Sequence, residues 1–326
     1  MERTRIGRSG LEVSRVTVGC MSFGEPDAGN HGWTLPEEQS RGFIRRAIEL
    51  GFTTFDTANA YSAGRSEEIV GKALADFAAR EDVVIATKVF MPMRDGVNGR
   101  GLSRGHILES IDASLRRLGT DYVDLFQIHR FDPTVPVEET MQTLDDLVRS
   151  GKVRYIGASS MWAWQFAKLQ HAAELHGWTR FVSMQSQYNL ITREDEREMF
   201  PLCLDQGVGA LLWSPLARGK LTRPWYEEST RFATDSLAPQ LYHQAEDSDR
   251  RIVDAVLAIA AEREVRPAQV ALAWVLAQPV VSSPIVGATR MQHLDDAVAG
   301  SELVLTDDEL RRLEEHYVPH AMEGFV

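Results

Sequence analysis

The chain has 326 residues, 44% of them hydrophobic and 25% charged, and 35 Lys and Arg against 47 Asp and Glu give a formal charge of -12. That composition excludes a disordered or low-complexity chain, and the acidic balance argues against nucleic acid or an anionic membrane as partner while leaving room for a local basic pocket that holds a phosphate. Cys20 and Cys203 lie far apart with no CxxC, so neither a disulfide framework nor a cysteine metal site is expected.

No apolar run reaches the ~18 residues of a membrane span. The opening segment MERTRIGRSGLEV lacks the apolar stretch of a secretory signal, and cytoplasmic placement is the expectation.

The first predicted element is a hairpin within Thr4–Val18, turning at Arg8-Ser9-Gly10 and capping a barrel floor. Short apolar runs then alternate with longer amphipathic ones. The predicted strands are Arg15–Gly19, Thr53–Asp56, Val83–Lys88, Val123–His129, Tyr155–Ser159, Phe181–Gln185, Gly209–Ser214 and Pro284–Ala288. Between them the pattern names helices over Pro36–Leu50, Glu67–Arg80, Arg104–Leu118, Val137–Ser150, Trp164–His176, Glu194–Gln206 and Ala268–Ala277. Eight strands with crossover helices predict one α/β domain over residues 1–326, a (β/α)8 TIM barrel, with an open doubly wound sheet as the alternative. The segment Thr222–Asp249, with Pro224 and Pro239, breaks the alternation after the seventh strand and is too long for a minimal connection, which suits a ligand loop.

In an α/β barrel the chemistry sits at the carboxyl ends of the strands. Asp56 ends the second predicted strand, Tyr61 follows it in FDTANAYSAGRSEEIVGKAL, Lys88 ends the third in VVIATK, and His129 ends the fourth in DLFQIH. Taken singly, Asp56 reads as a turn cap, Tyr61 as a half-buried loop aromatic and His129 as a satisfied core histidine. Lys88 resists such a reading, because an ammonium directly after apolar residues is costly without a carboxylate or phenolate beside it. Together they compose a proton donor. A phenol titrates near 10, a neighbouring ammonium lowers that value, Asp56 holds the ammonium, and His129 orients a carbonyl oxygen. In the same stretch Ser66 is expected to cap the following helix and Glu67 and Glu68 to suit its positive end.

A carbonyl protonated on oxygen needs a nucleophile for carbon. No nucleophile elbow, metal cluster or activated cysteine supplies one, so hydride from a nicotinamide fits. No G-x-G-x-x-G is present, the nearest being GRGLSR from Gly99, so the dinucleotide would have to be held by barrel loops. Ser159 with Gln185 suits an amide, Trp213 offers a ring face, and Arg218, Lys220 and Arg290 offer charge for phosphates.

These segments resemble the aldo/keto reductase family over nearly the whole chain. FDTANAYSAGRSEEIVGKAL, ATK, the IH of DLFQIHR, YIGASS, MQSQYNL, WSPLARGKLT and IVGATR occur in the family's order and spacing. The resemblance implies a (β/α)8 barrel that binds NADPH in extended form and reduces aldehydes or ketones from nicotinamide C4. By position it makes Asp56, Tyr61, Lys88 and His129 the catalytic tetrad, with Tyr61 the acid. It places Gly19, Met21 and Asp56 against the cofactor, Ser159, Ser160 and Gln185 at the carboxamide, and Trp213 on the nicotinamide. Ser214, Leu216, Arg218, Gly219 and Lys220 line the pyrophosphate, while Gly287, Thr289 and Arg290 face the adenosine phosphate and favour NADPH. His293 and Asp296 fall near the adenine. The chain departs from many members in having Ser160 for Asn, and His293 and Ala297 near the adenine.

Within the family, GCMSFGEPDAGNHGWTLPEE and the segment from VSMQ to EREM look closest to the bacterial YajO type, labelled 1-deoxyxylulose-5-phosphate synthase, with aryl-alcohol dehydrogenase-like members as broader kin. The substrate pocket is expected from Phe23, Trp33, Tyr61, Phe90, His129, Phe131 and the tail Pro319–Val326, whose aromatic walls suit an aryl or other small carbonyl. Arg94, Arg100 and Arg130 keep a sugar phosphate open as the alternative. An NADPH-binding redox-sensing subunit is the other alternative. No metal is expected.

Overall fold

The structure, a computed structural model, describes residues 1–25, 32–227, 241–242 and 245–322. Most of the Thr222–Asp249 segment and the last four positions of the expected Pro319–Val326 tail lie outside the described residues.

The chain opens with a hairpin of β1 (Arg3–Arg5) and β2 (Glu12–Ser14), antiparallel with Arg3 opposite Ser14 and Arg5 opposite Glu12. Gly7 turns at φ +54°, where a Cβ would stand 2.3 Å from the Gly207 carbonyl oxygen, so only glycine permits this approach. The Arg8 amide donates to that same carbonyl at 2.8 Å. Ile6, Leu11 and Val13 pack on Ala86, Leu125, Leu211 and Ile285 and close the amino end of the barrel with an apolar plug.

Eight strands follow: β3 (Thr17–Gly19), β4 (Thr54–Asp56), β5 (Val84–Val89), β6 (Val123–Ile128), β7 (Val153–Ser159), β8 (Ser183–Gln187), β9 (Gly209–Trp213) and β10 (Val281–Gly287). They pair in parallel in chain order, and β10 returns to β3 to close the ring. The fold is therefore the (β/α)8 TIM barrel, not the open doubly wound sheet. Its strands are buried on both faces, one against the interior and one against helices, which is why they read as short apolar runs.

Around the ring stand α1 (Glu37–Glu49), α2 (Arg65–Phe77), α3 (Arg104–Leu118), α4 (Val137–Arg149), α5 (Ala163–His176), α6 (Met199–Gln206), α7 (Glu246–Glu262), α8 (Pro267–Leu276), α9 (Met291–Glu302) and α10 (Asp307–Glu314). Local signals explain several ends. Ser103 accepts from the His106 amide to cap α3, Gly119 ends it at φ +65°, Pro267 starts α8, and Thr306 with Glu309 forms a capping box at α10.

Three expectations shift. The predicted helix Glu194–Gln206 is a 3-10 turn, Glu194–Glu196, followed by α6, because Pro201 in the first turn of α6 cannot share a helix with the carbonyl four residues before it. The strand expected over Phe181–Gln185 runs Ser183–Gln187 instead, paired with β7 and β9. The last strand begins at Val281 and carries Pro284 inside it, opposite Leu212 and just after a register shift between Val281 and Ser283 against β9.

The 3-10 turn after β8 buries a carboxyl. Asp195 takes a hydrogen bond from Ser186, yet burial pushes it up to about 6 from its ordinary value near 4. A carboxyl raised in the folded state stabilises the fold at low pH, and that contribution is lost as pH rises through the folded value. Asp195→Asn is therefore expected to exceed the parent in stability by about 3 kcal/mol at pH 8 and to lose that advantage toward pH 4. Urea denaturation at the two pH values measures it, and an advantage independent of pH contradicts the assignment.

Candidate active site

Four segments converge at the carboxyl mouth. Asp56 ends β4, Lys88 lies one residue before the end of β5, His129 follows β6 directly, and Tyr61 begins a 3-10 turn over Tyr61–Gly64. Lys88 has no exposure, and its ammonium is held on three sides. It donates to Asp56 Oδ2 at 2.5 Å, to the Thr57 carbonyl at 2.8 Å and to the Tyr61 hydroxyl at 3.2 Å. Asp56 is satisfied on its other oxygen by the amides of Gln127 and Gln185, at 3.0 and 2.9 Å. The rings of Tyr61 and His129 stand edge to face with centroids 6.0 Å apart, so the hydroxyl and the imidazole border one space.

The turn that carries Tyr61 is conformationally costly. Ser62, Ala63 and Gly64 are successive left-handed residues at φ +47°, +54° and +95°, and each such non-glycine residue costs on the order of 1 kcal/mol. The expected cap is not what holds it. Ser66 lies inside the first turn of α2 and makes no cap bond; its hydroxyl donates to the Cys20 carbonyl at 2.8 Å and meets the Thr57 hydroxyl at 2.9 Å. Glu67 is likewise fully buried, accepting from Thr87 and Arg117, both at 2.6 Å.

Charge decides the protonation states. Burial would depress the Lys88 ammonium, but Asp56 and Tyr61 outweigh it and the group stays charged, with its pKa above the ordinary lysine value. Burial also raises the Tyr61 phenol above its usual range, and Lys88 and Arg130 pull it back only in part, so the ammonium opposes the rise without producing a net lowering. His129 is pushed well below its usual value by burial and by Lys88 and Arg130, and is neutral. Its Nδ1 is buried without a hydrogen-bond partner in the structure. A neutral imidazole keeps one ring N–H to offer a carbonyl oxygen.

The loops after β7, β8, β9 and β10 supply the opposite arc. Ser159 and Ser160 follow one another with hydroxyls 3.2 Å apart, and the Trp213 indole donates to Ser160 at 3.1 Å, which fixes its ring plane. After β9, Ser214, Ala217, Arg218 and Gly219 all adopt positive φ, coiling Leu216–Lys220 into a tight turn. Lys220 lies over the Trp225 ring at 4.4 Å. After β10, Gly287 and Thr289 lead into α9, with the exposed Arg290 just outside its first residue and His293 Nδ1 accepting from the Thr289 amide at 3.3 Å. Asp296 is buried and accepts from Gln269 and Gln292 at 3.0 and 3.2 Å. Gly19 and Met21 sit at the end of β3 and the turn after it.

Of the expected substrate wall, Trp33, Phe90 and Phe131 are half-buried. Phe23 is corrected: it has no exposure and packs into the core with its ring 6.5 Å from Phe43. Arg94 folds back on Val97 and Glu109, whereas Arg130 donates to the His129 carbonyl at 2.8 Å beside the mouth. The sequence reading passed over Gln127, a polar residue two positions before His129 in an apolar strand. It also passed over Trp164, 60% exposed, whose ring meets Phe131 edge-on at 6.0 Å.

A family model described as the aldo/keto reductase family matches residues 15–318. The chain is similar to versiconal hemiacetal acetate reductase of Aspergillus parasiticus, at 48% identity over 99% of this chain and 98% of that protein. It is 43% identical to an aryl-alcohol dehydrogenase-like protein of Schizosaccharomyces pombe, over 98% of this chain and 97% of the other. It is also 43% identical to aldo-keto reductase dtxS3 of Metarhizium robertsii, over 98% and 92%.

Removing one partner of a buried ion pair leaves an uncompensated charge. Lys88→Met is expected to lower the unfolding free energy by about 3–5 kcal/mol, and adding Asp56→Asn to recover most of that loss. Chemical denaturation of the parent, the single and the double variant measures it; a double variant no more stable than Lys88→Met contradicts the pairing.

Proposed function

The chain belongs to the aldo/keto reductase family, and on that premise we propose that it reduces aldehydes or ketones to alcohols reversibly with NADPH, Tyr61 being the proton donor. The observation that carries this reading is the Tyr61 hydroxyl 3.2 Å from a fully buried ammonium that Asp56 keeps charged, at the mouth where a carbonyl can also meet His129.

The residues present fit a nicotinamide dinucleotide. Ser159, Ser160 and Gln185 offer amide partners, the Trp213 ring is fixed by its bond to Ser160, and the left-handed run Ala217–Gly219 and the amino end of α9 beside Arg290 offer backbone donors and charge for phosphates. Bound there, NADPH supplies hydride to the carbonyl carbon. Tyr61 gives its proton to the carbonyl oxygen, and Lys88 offsets the charge that develops on the phenolate. Asp56, held by Gln127 and Gln185, fixes Lys88 in place. His129 donates its ring N–H to the same oxygen and orients it.

Half-buried Trp33, Phe90 and Phe131, with Trp164 beside them, support an aryl or other small carbonyl as substrate, as do the aryl-alcohol dehydrogenase-like relatives. Kinship to the YajO type and turnover of a sugar-phosphate carbonyl form the second reading, which Arg130 at the mouth favours. Against a purely regulatory subunit stands the assembled tetrad.

Tyr61→Phe is expected to lower kcat for aryl aldehydes by roughly 10²–10⁴-fold, followed as NADPH absorbance, and equal rates in parent and variant would sink Tyr61 as the acid. Arg290→Ala is expected to raise KM for NADPH at least about tenfold while leaving KM for NADH nearly unchanged, since a guanidinium pairs with a phosphate that NADH lacks. Equal effects on both cofactors would remove Arg290 from phosphate recognition.

A further inference from the structure

Glu67 is buried with no exposure in the first turn of α2, three residues beyond the end of the strained turn that carries Tyr61. A buried carboxylate is retained only if its oxygens are occupied. One takes the Thr87 hydroxyl at 2.6 Å, and Thr87 is the strand residue directly before Lys88. The other takes Arg117 Nε at 2.6 Å, reaching across from α3. Arg117 does more than pair. A Cβ on Gly64 would stand 2.7 Å from its Cδ and 2.8 Å from its Nε, so the guanidinium arm lies flat against the last residue of the Tyr61 turn. One carboxylate thus touches the strand that presents Lys88 and braces the turn that presents Tyr61, from behind the barrel wall and without contact with the mouth.

We propose that Glu67 is a positioning residue for proton transfer: through Thr87 and Arg117 it sets the distance between the Tyr61 hydroxyl and the Lys88 ammonium. This rests on the reading of Tyr61 as the acid. The ionisable groups facing Tyr61 are Lys88 from β5, Asp56 from β4 and the His129–Arg130 pair after β6, and none of them contacts Glu67. Loss of the brace lets the hydroxyl drift from the ammonium. A phenol without that neighbour keeps its proton to higher pH, so the decline of carbonyl reduction on the alkaline side moves upward.

The test uses the full chain with saturating NADPH and an aryl aldehyde. Glu67→Gln is expected to lower kcat roughly tenfold, to leave KM for the aldehyde within about twofold, and to raise by about one unit the pH at which reductive kcat has halved. Thr87→Val, which removes one of the two contacts and no charge, is expected to shift that midpoint in the same direction by less, and decides the matter if Glu67→Gln does not fold. A midpoint unmoved in folded variants, or a fall in kcat that only follows a fall in Tm, overturns the positioning role. Tyr61→Phe is run beside them. If it is as active as the parent, the acid assignment and the inference built on it fail together; if it is inactive while the midpoint stays fixed, the inference alone fails.

Discussion

A lysine ammonium with no exposure inside a barrel is tolerable only if its charge is answered at contact distance, and the carboxyl mouth is organised around that requirement. Lys88 on β5 demands Asp56 on β4. Asp56 in turn demands donors for its second oxygen, which Gln127 on β6 and Gln185 on β8 provide. Each demand crosses to another strand, so satisfying one charge ties β4, β5, β6 and β8 together at one level of the barrel. Tyr61 is the least buried member of this set, and its hydroxyl takes up the last donor direction of the ammonium.

Anomalies in short apolar runs made much of this legible. Asp56, Lys88 and His129 bring charge or an imidazole to the carboxyl ends of largely apolar strands, and such a group at that end has few structural explanations. The barrel itself was legible from eight runs of strand length separated by helical periods. Gln127 interrupts the same strand as His129, but an amide carries no charge to force the question of a partner. Ser66 and Glu67 show a different limit. Both fit the grammar of a helix start, and chain-local logic assigns them to capping and to the dipole; their actual partners, Cys20, Thr57, Thr87 and Arg117, are distant in the chain and visible only once α2 docks on β5 and α3. Phe23 was misplaced for a similar reason, since position after a strand does not say which way a ring turns.

Backbone strain is not spread evenly over the barrel. Ser62 and Ala63 after β4, Ser160 after β7, and Ser214, Ala217 and Arg218 after β9 all hold left-handed conformations without being glycine. These are mouth loops, and the residues they aim include Tyr61 and the loop positions proposed for the cofactor. Toward the opposite end the left-handed positions are mostly glycines such as Gly7, where such backbone is cheap, with Glu264 after α7 at φ +55° as an exception. Stability drawn from the floor and wall is in this sense spent on holding the mouth in conformations its residues do not prefer.

The floor plug carries a consequence for synthesis. The hairpin is made first, yet its seat is made last: Gly7 and Arg8 fasten to Gly207 and to Ser282, and β3 gains its second neighbour only when β10, ending at Gly287, is in place. A chain emerging from the ribosome therefore carries an apolar hairpin and an open strand edge through most of its translation. Pairing between β3 and β10 joins residues 268 positions apart, such as Thr17 and Ile285, the kind of long-range contact that slows folding and leaves nascent edges exposed to other chains. The same closure that gives the finished barrel no edge leaves the unfinished one with an unpaired edge on β3 until β10 is in place.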